Sequence, residues 1–129
     1  PGMSVLHFGF DDENEDNPHR PQNLCKSNVV YTGTHDNDTT MGWWSDADEA
    51  RKKRVEEIGL AGENPCETLI RVAMSSPAPL AVIPLQDILG LGTDARMNTP
   101  GKPDGNWRWK FDWPQLAQGK WSIMQRSEF

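Results

Sequence analysis

At 129 residues, with 36% apolar side chains and a mean hydropathy of −0.71, the chain is about one domain long, polar, loop-rich and sparing in core material. A formal charge of −6, with no dense basic patch beyond Arg51–Arg54, argues against nucleic-acid binding, which needs phosphate neutralisation. No apolar run approaches the roughly 20 residues that cross a bilayer, and Cys25 and Cys66, without CxxC spacing, read as free thiols of a reducing compartment.

In chain order, Ser4–Phe10 is rich in Val, Leu and Phe and reads as a strand. It runs into the acidic stretch Asp11–Pro18, a solvated loop that lacks the central Gly and terminal Glu of an EF-hand calcium site. Pro18 to Ser27 is irregular. Val29–Thr34 is a second strand, closed by Gly33, where the missing Cβ permits close approach of backbone or ligand. His35, Asp36, Asn37 and Asp38 follow directly.

The next helix is expected from an N-cap at Ser45 to Ile58, acidic in its first turn and basic later, on the surface because its apolar stripe is thin. Asn64-Pro65-Cys66-Glu67 has the cap, first-turn proline and N3 glutamate of a further helix, with Leu69, Ile70, Val72, Ala73 and Met74 on its buried face. Leu80–Leu85 reads as a third strand buried on both faces. Gln86-Asp87 again puts polar groups at a strand end. Thr93–Gly101 has the turn chemistry of an ordered loop, Trp107 and Trp109 suit either aromatic packing or a sugar platform, and Pro114–Gln118 opens a short helix. Residues 119–129 have no pattern and are left outside the fold reading as an unassigned tail, natural or not.

This alternation implies parallel strands joined by right-handed crossovers, with function at their carboxyl ends, as in a (β/α)8 barrel or a doubly wound sheet. Gly90-Leu91-Gly92 lacks the third glycine of a dinucleotide fingerprint, and no G-x-S-x-G elbow is present. The cluster after the second strand leaves several chemistries open. Carboxylates in a cleft suit glycosidic chemistry and bind sugar hydroxyls. Asp36 and Asp38 could instead cap the downstream turn, and a metal held by His35, Asp36 and Asp38 would crowd three ligands into four residues.

The chain closely resembles the 4-α-glucanotransferases, or amylomaltases, of the α-amylase-related glycoside hydrolases. The resemblance is carried by PGMSVLHFGF at 1–10, NPHRPQN at 17–23, VVYTGTHDNDTTMGWW at 29–44, AVIPLQDILGLGTDARMNTPG at 81–101 and GNWRWK at 105–110. It implies that residues 1–118 are the C-terminal portion, about strands six to eight, of a (β/α)8 barrel, and thus a piece of a longer chain. Implied too is transfer of α-1,4-glucan segments between maltooligosaccharides by a retaining two-carboxylate mechanism, with no cofactor and no metal, in the cytoplasm, or a plastid in a plant or alga. The nucleophile and the acid/base would follow the fourth and fifth strands, outside these residues, so the chain alone is expected to be inactive and to need the remainder of the barrel as its partner. Residue by residue, the resemblance implies that Asp36 stabilises the transition state by holding hydroxyls of the sugar at the cleavage point. It likewise makes His35 and Asn98 substrate-binding. A non-catalytic glucan-binding remnant or interaction module is the alternative.

Overall fold

A computed structural model describes residues 2–59, 62–119 and 121–124. Three parallel strands form one sheet in the order β1 (Gly2–Val5), β2 (Asn28–Tyr31), β3 (Leu80–Val82). Met3 pairs with Val29 and Val29 with Leu80; the next row is Ser4, Val30 and Ala81, and the next Val5, Tyr31 and Val82. Because side chains alternate between faces, the middle row points one way and its two neighbours the other. Val30 and Ala81 pack with Leu6, Phe10, Leu24, Val55, Leu69, Ala73 and Ala78 into the main core, whereas Met3 and Leu80 are about half exposed on the opposite face.

The strands are shorter than their apolar runs. β1 ends at Val5, and Leu6–Phe10 winds into a 3-10 turn. This turn buries Leu6, His7 and Phe10, and the His7 amide donates to the Thr32 carbonyl at 3.2 Å. β3 stops at Val82, and Leu85–Ile88 is a helical turn, α4. The expectation of a third strand buried on both faces fails: Leu80 is 54% and Val82 38% exposed, because the helices cover only the Ala81 side.

The helix expected from Ser45 to Ile58 is two helices, α1 (Thr40–Asp46) and α2 (Glu49–Glu56). Thr39 caps the first, its hydroxyl accepting from the Gly42 amide at 3.2 Å, and Asp48 caps the second, accepting from Arg51 at 2.8 Å. Extended backbone at Ala47 and Asp48 separates them, so Ser45 sits inside α1, its hydroxyl donating back to the Met41 carbonyl. In α2 Glu49 opens and Lys53 and Arg54 close the helix, the order its dipole favours.

Helix α3 (Pro65–Ser75) follows its local signals: the Asn64 side chain accepts from the Glu67 amide at 2.9 Å, and Pro65 takes the first turn. Leu69 and Ala73 face the main core, while Cys66 and Ile70 meet Ile88 in a smaller one. A short helix, α5 (Trp113–Ala117), is opened by a reciprocal cap between Asp112 and Gln115. Cys25 is exposed, just before the amino end of β2, with its sulfur 3.2 Å from the Ser27 hydroxyl. That bond draws its thiol below the usual range, and burial pushes the Cys66 thiol up.

Candidate functional site

All three strands deliver polar groups to the carboxyl edge of the sheet. After β2 the chain leaves the ladder at Thr32, and the Gly33–Thr39 loop is shaped by its own side chains. Asn37 Oδ1 accepts from both the amide and the hydroxyl of Thr34 at 2.8 Å, closing the loop back on its start. Asp38 is structural: Oδ1 accepts from the Thr39 amide at 2.8 Å and Oδ2 from the Thr93 hydroxyl at 2.9 Å. Of the two carboxylates that could have capped the turn, Asp38 does so. Asp36 does not.

Asp36 instead meets a segment 62 residues away. Asn98 Nδ2 donates to Asp36 Oδ1 at 2.7 Å, and His35 Nε2 lies 3.3 Å from the same oxygen. The approach is fixed through the backbone as well: the Asn98 amide donates to the His35 carbonyl at 3.1 Å. Arg96 clamps it further, giving one guanidinium N–H to the Asp36 carbonyl at 2.7 Å and another to the Asn98 carbonyl at 2.9 Å. His35, Asp36 and Asn98, the three residues singled out in the sequence, thus form one cluster. The His35 and Asp36 side chains are about half exposed, and Asp36 Oδ2 has no partner among the described residues.

Beside this cluster lies a cleft of about 390 Å³. His35, Asn37, Arg96 and Trp107 supply its upper wall, and Met3, Tyr31 and Val82 from the uncovered sheet face supply its floor. Asp36 and Asn98 are not among its walls; they sit next to it through His35 and Arg96. The Trp107 ring is tilted against His35 with centroids 5.2 Å apart and is 60% exposed. Its backbone is left-handed (φ 59°), an unfavourable state for an aromatic residue, held by its amide donating to the Met97 carbonyl at 2.7 Å. The sequence drew attention to Trp107 as a possible sugar platform without the strained backbone, which has no local signal. Arg96 was not singled out at all.

Of a second group below the loop, the sequence marked only Asp87, as a polar residue at a strand end. Asp87, 2% exposed, receives the Thr40 amide at 2.8 Å on Oδ1 and the hydroxyls of Thr40 and Thr32 at 2.7 and 2.8 Å on Oδ2. The Thr40 hydroxyl, its proton committed to Asp87, accepts from His7 Nε2 at 2.9 Å. His7 stacks on Trp43 with planes 3° apart and centroids at 4.7 Å. A Cβ on Gly33 would lie 2.6 Å from the His7 ring, so glycine is needed there for close approach of this side chain.

Burial, aided by the Arg51 charge, holds the His7 imidazole from its ordinary 6.5 down to about 3, so it is neutral in the fold. Between these two values the unfolded chain binds the proton that the fold refuses; the contribution of neutral His7 is complete above pH 6.5 and is lost as pH falls toward 3. Burial pushes the Asp87 carboxyl up, against the pull of its Thr40 and Thr32 hydrogen bonds, and acts in the opposite sense. A His7→Gln variant of the longer protein that carries this chain, compared with that protein unchanged by thermal melts from pH 7 to 4, is therefore expected to lose less stability on acidification. Equal losses would refute the assignment.

Against known proteins, a family profile described as 4-alpha-glucanotransferase matches residues 1–116. The chain is 51% identical over 119 residues to a 4-alpha-glucanotransferase of Synechocystis sp., covering 90% of this chain and 23% of the relative. It is 51% identical over 112 residues to a chloroplastic/amyloplastic 4-alpha-glucanotransferase of Arabidopsis thaliana, covering 85% of this chain and 19% of the relative. The chain spans less than a quarter of the length of these relatives. Among solved structures, amylomaltase from Streptococcus agalactiae in complex with acarbose matches with a TM-score of 0.89 at 29% identity, over 96% of this chain and 26% of that one.

Proposed function

Because the chain belongs to the 4-alpha-glucanotransferase family, whose profile matches residues 1–116, we propose that its cleft is one side of an active site that transfers α-1,4-glucan segments between maltooligosaccharides. The observation that carries this reading is the junction of Asp36 with Asn98, two segments 62 residues apart joined at 2.7 Å where the parallel strands end. In this reading residues 1–118 are about strands six to eight of a (β/α)8 barrel, whose remainder packs against the uncovered sheet face at Leu80 and closes the far side of the cleft that Met3 and Val82 line. The compartment is the cytoplasm, or a plastid as in the plant relatives, whose names read chloroplastic/amyloplastic.

The proposed reaction is a retaining double displacement. A carboxylate nucleophile expels the reducing-side fragment while a carboxylic acid protonates the departing oxygen; the 4-hydroxyl of an acceptor sugar then displaces the nucleophile from the anomeric carbon, giving its proton back to the second carboxylate. Both reacting carboxylates come from outside these residues. Positive charge grows at the anomeric carbon in each transition state, and the Asp36 anion opposes it while its Oδ2 accepts from the hydroxyls of that sugar. Asn98 and His35 hold Oδ1 and present their remaining polar atoms to the same glucan. Organic or metal cofactors have no part in this scheme.

Trp107 and His35 form the apolar flank, where a pyranose ring would lay its C–H face. The test is disproportionation of maltotriose into glucose and longer dextrins by the full-length enzyme that carries this chain. With activity established, Trp107→Ala is expected to raise KM by roughly 3- to 10-fold, from the ~0.5–1.5 kcal/mol of an aromatic contact, with little change in kcat. No disproportionation by the full-length protein would overturn the reading of function. An unchanged KM would remove Trp107 from it.

A further inference from the structure

Asp87 carries no assigned role, and its surroundings are unusual for a carboxylate. It is 2% exposed, and among the described residues no cation pairs with it. An unpaired buried anion is costly, and it persists only where hydrogen bonds replace its lost water. Asp87 receives three, all from the two residues that flank one loop. Thr32 is the last residue before Gly33–Thr39, and Thr40 is the first after it.

We propose that Asp87 is a positioning residue: one carboxylate that ties together both ends of the loop bearing His35 and Asp36, and so sets where Asp36 stands relative to the bound glucan. The inference rests on the glucanotransferase reading for its effect on rate, but its geometry is independent of that reading. A loop of seven residues has its own preferred shapes; here the Asn37–Thr34 closure sets the tip, and the separation of the stems is set by Thr32 and Thr40 meeting on Oδ2. The α4 turn that carries Asp87 is anchored by Gln86 Nε2 donating to the Ala95 carbonyl at 3.0 Å and by Ile88 in the smaller core. From the other side, His7 donates to Thr40 and is held flat against Trp43. His7 after β1, Thr32 after β2 and Asp87 after β3 are therefore linked through the Thr40 hydroxyl and the Asp87 carboxylate.

Since a misplacement of about 1 Å can cost about 100-fold in rate, loosening this tie acts on kcat before it acts on binding. In the full-length enzyme, Asp87→Ala is expected to lower kcat for maltotriose by roughly 100-fold, with KM changed by less than about threefold. Asp87→Asn, which keeps an acceptor for the Thr40 amide and lets both hydroxyls turn to accept, is expected to recover about tenfold of that loss. Thr32→Val removes one stem of the tie. Its effect on kcat is expected to be about tenfold in the wild-type background and to vanish in Asp87→Ala, since the two share one interaction.

Leu69→Ala is the control for stability alone: a core residue of α3 that makes no hydrogen bond to the loop or to Asp87, expected to lower Tm without lowering kcat at a temperature where the variant is folded. Hydrogen exchange reads the geometry without activity. The amides of Thr34 and Asn37 are expected to exchange at least about tenfold faster in Asp87→Ala than in wild type, and not in Leu69→Ala. Unchanged exchange at these amides, or a Thr32→Val effect that persists undiminished in Asp87→Ala, would overturn the proposal. Were the wild-type enzyme inactive on maltotriose, the reading of function would fall, and the exchange measurement alone would decide the positioning claim.

Discussion

Asp36→Asn in the full-length enzyme is expected to lower kcat for maltotriose disproportionation by roughly 10²- to 10³-fold, the range for removing one preorganised electrostatic contact to the transition state. The stability change is expected to be small, within about ±0.5 kcal/mol, as for surface positions away from core and caps. The two expectations belong together. Asp36 is half exposed and holds no turn; Asp38 and Asn37 close the loop, and Thr32 and Thr40 fix its ends. In the variant one side-chain oxygen can still accept from Asn98, but the group turned toward substrate becomes an uncharged donor where an anionic acceptor stood. Steady-state kinetics with a thermal melt on the same sample check both halves. Activity within threefold of wild type would remove Asp36 from the chemistry, and a large fall in Tm would recast it as a structural residue.

The 129-residue chain on its own is expected to unfold without a cooperative transition and to leave maltotriose untouched. Its sheet has one packed face. On the other, Met3 at 49%, Leu80 at 54% and Val82 at 38% exposed present apolar side chains to water, and among the described residues β1 and β3 each leave one edge unpaired. Short three-stranded sheets depend on apolar cover for independent stability. Circular dichroism through a thermal ramp is expected to show a broad, gradual loss of signal, with binding of an apolar dye at low temperature. A sharp monomeric transition, or glucose and longer dextrins formed from maltotriose by this chain alone, would overturn the expectation.

What could be read from the residues divides by the range of the interaction that decides it. Helix α3 was legible because Asn64, Pro65 and Glu67 settle its start within four residues. The break between α1 and α2 was not: Thr39, Ser45 and Asp48 are all acceptable caps, and the choice falls to Gly42 and Trp43 packing under the site. A Cβ on Gly42 would crowd the Asp38 carboxylate and the Thr93 hydroxyl, and Trp43 stacks on His7. Neither contact is local. The apolar run from Leu80 marked a strand correctly, but which of its faces is covered depends on the rest of the fold. His35, Asp36 and Asn98 were singled out by motif resemblance and by no local pattern, and their meeting at 2.7 and 3.3 Å is a fact of the structure alone. Asp87 looked like one more polar residue at a strand end, because its partners lie 47 and 55 residues away.

The placement of the two thiols has a practical side. Cys66 is buried with its thiol pushed toward the protonated form, and Cys25 is exposed with its thiol drawn toward the thiolate, so an alkylating reagent will find one of them first. Cys25 precedes the amino end of β2, and the cleft opens beyond the carboxyl end of the same strand. The chain thus has its own attachment point on the side facing away from its cleft. A fluorophore or a solid support fixed through that sulfur would report on, or immobilise, the protein while the entrance beside His35 and Trp107 stays open.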